Sequence, residues 1–226
     1  MRRSKITFLL VGLALGILFA AATATSSAPR HARGGDQGEQ QDNGGQHNRF
    51  VRWDLVLIAN GVAVAGGTDV ATDAATKDTI ALTGSGQAEP REEEASGGGT
   101  FVHKHANGSL VAKGAYVVTG FESFERLRGG NFAKTGLIDG IGNGPGSSED
   151  EGEPSSGILT VDVRFIPDGS PPSAGVDGVL SVHCNLPDTV GGDFEGVTVT
   201  LDGLSFTPAA NVDPNAHGVT LFHLLR

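Results

Sequence analysis

From Phe50 onwards, apolar and polar residues repeatedly alternate. Leu159, Val161, Val163 and Phe165 interleave with Thr160, Asp162 and Arg164, and Val197, Val199 and Leu201 with Thr198, Thr200 and Asp202. A period of two turns one face of an extended chain toward a core and the other toward water. The same period opens the region, with Val51, Trp53, Leu55 and Leu57 on one side. The pattern predicts strands at 50–58, 61–65, 78–83, 99–105, 109–124, 158–166, 178–184, 196–206 and 218–225. No segment repeats apolar residues at i, i+3, i+4 and i+7 over a dozen positions, so no long amphipathic helix is expected. About nine strands over such a length is the content of one sandwich or barrel. The expected fold is a single all-β domain over residues 50–226, a β-barrel or β-sandwich with long glycine-rich loops.

Glycine shifts this picture toward a closed or strongly curved sheet. Of the 35 glycines, several interrupt predicted strands, as in Thr83-Gly84-Ser85-Gly86 and Lys113-Gly114-Ala115. Glycine inside a strand marks a bulge, a sharp bend or the close approach of another group. Two long connections are expected. Residues 87–98 carry Glu89, Arg91, Glu92, Glu93 and Glu94, and residues 129–157 carry the run Glu149-Asp150-Glu151-Gly152-Glu153. The second is read as a flexible acidic loop, with an element around Leu137-Ile138 available to dock on the sheet.

Ahead of the domain, residues 1–24 read as a secretory signal peptide. Arg2, Arg3 and Lys5 precede the apolar run Phe8–Ala22, and Ala22-Thr23-Ala24 supplies a small-x-small cleavage pattern. Residues 25–49 hold no aliphatic side chain larger than Ala and are read as a disordered polar linker. The expected localisation is secreted, extracellular or periplasmic, with membrane contact only through the signal segment before cleavage.

Cleavage would remove Arg2, Arg3 and Lys5 and take the formal net charge from −10 to −13. So acidic a chain repels phosphate backbones, which argues against nucleic acid as a partner. One Trp and one Tyr are too few for the aromatic girdles of an outer-membrane barrel. A single cysteine, Cys184, leaves an exported chain without an internal disulfide, so packing must hold the fold. Alternation places Cys184 with Leu180 and Val182 on the core face and His183 on the other, which argues against a Cys184–His183 dyad.

The strongest candidate chemistry is His103-Lys104-His105, just before Asn107-Gly108. If Asn107-Gly108 is the two-residue loop of a type I′ hairpin, His103 pairs with Ala112 and His105 with Leu110. The two imidazoles then share a face with Phe101, about 7 Å apart. A stable metal site needs a third and fourth ligand, and nothing in the spacing of His183, His217, His223 or Glu122 aims them at this pair. No nucleophile elbow, phosphate loop or dinucleotide motif occurs. No catalytic, cofactor-binding or metal-ligating residue is assigned.

The stretch GGGTFVHKHANGSL is similar to the His-x-His motif of cupins, with Gly97 six residues before His103. Ser109 and Leu110 stand where a cupin carries its glutamate. The segments TGSGQA (83–88), GGGTFVHKHANGSLVAKGAYVVTGFESF (97–124), ILTVDVRFIPDG (158–169) and GVTVTLDGLSF (196–206) together resemble a group of uncharacterised exported bacterial all-β proteins. That resemblance implies fold class and export and carries no functional residue. The glycine-interrupted hairpin is also similar, over about two strands, to the barrel of allene oxide cyclases and dirigent proteins, whose catalytic motif has no match here.

These readings lead to an exported, non-enzymatic β-domain acting as a binding or surface-associated module. Its partner is an unknown small molecule or a surface polymer or protein. The alternative is a small β-barrel carrier, or an isomerase- or cyclase-like enzyme with a hydrophobic pocket. A lined cavity with convergent polar groups separates the second from the first.

Overall fold

The computed structural model describes residues 50–141, 152–208 and 219–225. The expected signal peptide, the polar linker and the acidic residues 142–151 lie outside the described residues. The described chain forms one sheet of thirteen strands. They are β1 (Phe50–Ala59), β2 (Val62–Ala65), β3 (Asp69–Asp73), β4 (Thr79–Glu89), β5 (Glu94–Lys104), β6 (Leu110–Arg126) and β7 (Ile138–Asp139). The others are β8 (Glu153–Ser155), β9 (Gly157–Pro167), β10 (Val176–Cys184), β11 (Gly196–Leu201), β12 (Leu204–Pro208) and β13 (Val219–Leu225). Among the described residues no helix is long and apolar enough to cross a membrane.

Eight of the strands close into a ring in the order β3-β12-β11-β10-β9-β6-β5-β4, with β4 returning to β3. Every ring pairing is antiparallel. Closure removes the exposed edges that an open sheet must otherwise protect. One strand makes the branch. The first half of β4 pairs with β3, from Asp69↔Leu82 to Thr72↔Thr79, while its second half pairs with β1, from Val51↔Ala88 to Asp54↔Ser85. From β1 a flap continues outward through β13 to β8, and through β2 to β7, which runs parallel to β2.

The ring is filled by the side chains that alternation assigns inward. Leu159, Val161, Val163 and Phe165 of β9 are buried, as are Leu180, Val182 and Cys184 of β10 and Val197 and Val199 of β11. Phe165 packs edge-on against Phe101 at 5.2 Å between ring centres and lies 5.7 Å from Tyr116. Burying side chains of this size stabilises a fold by about 1.5–3 kcal/mol each, so the packed interior is the main source of stability. Two β4 glycines make room for rings. A Cβ on Gly84 would run into the Tyr116 hydroxyl, and one on Gly86 into the Trp53 indole.

The structure corrects four sequence expectations. Residues 87–98 are not a loop: β4 and β5 continue as a hairpin to the pair Glu89↔Glu94, where Ala88 is buried but most neighbours are charged, polar or glycine, so composition hides the strands. Residues 69–73 form an unexpected strand, because Asp69 and Asp73 occupy the buried positions that apolar residues usually mark. The run 196–206 divides at Asp202-Gly203, both with positive φ (50° and 79°), which fits a tight two-residue turn between β11 and β12. The segment 129–157 contains a 3₁₀ turn (Phe132–Thr135), β7 docked on β2 as the Leu137-Ile138 reading allowed, and β8.

Candidate functional site

The histidine pair lies at one end of the ring, and the structure brings it to a carboxylate that spacing did not reveal. Asp78 precedes β4 in the series Asp78, Ile80, Leu82, so it continues the inward face to the rim. His103 Nε2 lies 3.4 Å and His105 Nδ1 3.1 Å from Asp78 Oδ2, while Asp78 Oδ1 accepts the Ala106 N–H at 3.2 Å. His103 is buried and meets Phe206 edge-on at 5.3 Å, whereas His105 is exposed.

The hairpin is not the two-residue type I′ turn. His103 does pair with Ala112, but Leu110 faces Lys104, with a bulge beside it. Asn107 Oδ1 accepts both the Ser109 N–H (2.9 Å) and the Ser109 hydroxyl (2.7 Å). That local turn leaves only Gly108 with positive φ, 82°, and so lengthens the loop.

The other candidate ligands point elsewhere. His183 Nδ1 lies 3.4 Å from Asp193 Oδ1, and its ring stacks on Phe194. His223 Nε2 lies 2.8 Å from Asp139 Oδ2, Glu122 is exposed, and His217 lies outside the described residues. Among the described residues no group of three or more His, Cys, Asp or Glu side chains is arranged to hold a metal ion.

A different place has the shape of a binding site. Between the ring and its flap lies a cleft of about 250 Å³. Val56 of β1, Ala63 of β2, and Val219 and Leu221 of β13 form one wall. Phe132, Thr135 and Leu137 come from the segment before β7, and Leu186 and Pro187 from the turn after β10. Among the described residues its single ionisable lining residue is Glu195, immediately before β11.

Glu195 is half-buried where it lines the cleft, with its carboxyl packed in by protein atoms. Oε1 accepts the Thr220 N–H at 2.7 Å and lies 2.8 Å from the Thr220 hydroxyl, and Oε2 accepts the Asn185 N–H. Burial pushes the acid up to about 7, against the pull of these donors. The geometry also favours the neutral form. The Thr220 hydroxyl has one proton and lies within reach of two acceptors, the His183 carbonyl and Glu195 Oε1. When it donates to the carbonyl, a proton on Glu195 completes the second contact.

Behind Glu195 lies a second buried acid. Asp69 opens β3, and burial pushes its carboxyl up to about 7, partly offset by the Val70 N–H on Oδ1. Its Oδ2 is enclosed, the Val197 N–H also pulls the carboxyl down, and the charge of Asp69 adds to the rise of Glu195. Cys184 is wholly buried near Glu195, and burial followed by the Glu195 charge pushes its thiol well up. It is the core thiol that alternation predicted.

Sequence reasoning missed Glu195, Asp69 and Asp78, although parity contained a signal for each. Glu195 heads the inward series Val197, Val199, Leu201, Asp69 heads Ala71, and Asp78 heads Ile80 and Leu82. At each of these positions a carboxylate continues the inward parity of an apolar face. Compared with known proteins, the chain matches no family model, no curated protein and no solved structure.

Proposed function

We propose that the protein is an exported binding module that takes a small apolar ligand in the cleft between ring and flap, not inside the barrel. The observation that carries this reading is an apolar cleft of about 250 Å³ with one carboxyl in its wall, beside a ring interior already filled by side chains. Ligand sites are commonly concave, apolar and furnished with few polar groups. An apolar cavity of about 150 Å³ is enough to hold benzene, so this cleft suits molecules of roughly six to ten heavy atoms. The basic and apolar start of the chain supports export, and N-terminal sequencing of protein from the medium or periplasm is expected to begin at Thr25.

The test is a toluene titration of residues 25–226 followed by amide NMR. Resonances of Ala63, Leu137, Leu186 and Leu221 are expected to move together, and Leu137→Trp, which fills the cleft from a half-buried position, to abolish the shifts. Shifts confined to ring-interior residues, or none at all, would refute the reading. One observation favours the enzymatic alternative: a carboxyl titrating near 7 is suited to general acid–base work. Turnover of a bound molecule, lost on changing Glu195, would establish it.

A further inference from the structure

We infer that the cleft selects apolar molecules bearing one hydroxyl group, which Glu195 Oε2 reads as a hydrogen-bond donor. The inference rests on the binding reading above and goes further, to the chemical class of the ligand.

It follows from counting acceptor positions. A carboxyl group has two oxygens with two lone-pair directions each. At Glu195, Oε1 is committed twice, to the Thr220 N–H and the Thr220 hydroxyl. Oε2 takes one donor, the Asn185 N–H. Among the described residues that leaves one acceptor direction, on Oε2, in a side chain that lines the cleft. It remains an acceptor whether the acid is ionised or carries its proton on Oε1.

The walls decide which donor fits. An ammonium group brings three N–H donors to this single position. Most of the remaining lining is apolar, with only the neutral Thr135, Asn185 and Thr220 among the other described residues, so the extra donors and the charge are poorly compensated. A hydroxyl brings one donor and leaves none unpaired. A carboxylate ligand brings no donor for Oε2 and sets another negative charge beside two acids that already titrate near 7. The favoured ligand is therefore a neutral alcohol or phenol with an apolar body.

The experiment compares three probes on residues 25–226 by calorimetry and amide NMR: 1-hexanol, its isomer 1-methoxypentane, and hexylamine. The two isomers have the same atoms and nearly the same volume, and only the alcohol donates. The alcohol is expected to bind about 3- to 10-fold tighter than the ether, the range that one net hydrogen bond supplies. It is also expected to move the Asn185 and Thr220 amides, which donate to the same carboxyl, further than the ether does. Leu137→Trp is expected to remove binding of both without touching Glu195. Equal affinities for alcohol and ether would overturn the hydroxyl assignment and leave the apolar site standing. Tighter binding of hexylamine would overturn it in favour of a cation. Failure of all three probes to bind would overturn the cleft as a ligand site, and this inference with it.

Discussion

Asp69 provides the sharpest test of the buried acids, through Asp69→Asn. Its carboxyl titrates near 7 in the folded protein and near 3.8 when unperturbed. A group whose folded value is raised stabilises the fold most below its unfolded value, and the benefit is lost as pH rises toward the folded one. At about 1.4 kcal/mol per tenfold difference in proton affinity, Asp69 alone would cost the fold about 3–4 kcal/mol between pH 4 and 7, and Glu195 acts in the same direction. Asparagine keeps an oxygen for the Val70 N–H but cannot ionise. Urea unfolding at pH 4, 5, 6, 7 and 8 should show the wild type losing stability across that range and the variant losing less. The two should lie close together at pH 4. At pH 8 the variant should be more stable by up to about 4 kcal/mol, or several degrees in Tm. Parallel profiles, with Asp69→Asn weaker by the same amount throughout, would refute the assignment of Asp69 as a buried neutral acid.

Gly86→Ala drives a Cβ into the Ser96 carbonyl and into the only tryptophan, Trp53. Overpacking of this kind costs about 1–3 kcal/mol, and a changed Trp53 emission spectrum would report it directly. Asp73 accepts the Ala75 and Thr76 N–H groups and the Thr76 hydroxyl on Oδ1, and the Ser205 N–H on Oδ2, which ties the β3–β4 turn to β12. The Thr76 and Ser205 backbone donors lead in lowering its carboxyl to about 2, so its contribution is present above about pH 4 and lost as pH falls through 2. Asp73→Ala should lower Tm at pH 7, and the deficit should shrink on titration to pH 2. Cys184 should resist a thiol reagent in the native state and react only as the chain unfolds, which timed labelling in graded urea can follow.

The ring was legible wherever a strand has one wet and one dry face. Along β9 and β11 the inward residues are the apolar ones; the strand expected at 158–166 stands within a residue of β9, whereas the run expected at 196–206 covers both β11 and β12. Legibility failed where chemistry and burial disagree. Asp69 and Asp73 disguised β3, and the exposed Glu92 and Glu93 disguised the end of the β4–β5 hairpin. The cleft was illegible for another reason. Its walls come from β1, β2, β13 and the segments 132–137 and 185–187, which no local pattern brings together. His103 and His105 drew attention because they are neighbours in sequence, yet their partner Asp78 lies across the β4–β5 pairing, opposite them in space only. Glycine carried its information in plain view. The interruptions at Gly84 and Gly86 signalled the approach of another group, which proved to be the Tyr116 and Trp53 rings.

The most direct test of the central claim is to identify what the protein carries. Wild-type protein and Leu137→Trp, each recovered from the exported fraction of the producing cell, would be denatured, extracted into organic solvent and compared by gas chromatography and mass spectrometry. The account expects a small apolar molecule, about six to ten heavy atoms in size, in the wild-type extract and its loss when Trp fills the cleft. Identical extracts from the two proteins, or a compound retained by Leu137→Trp, would contradict it.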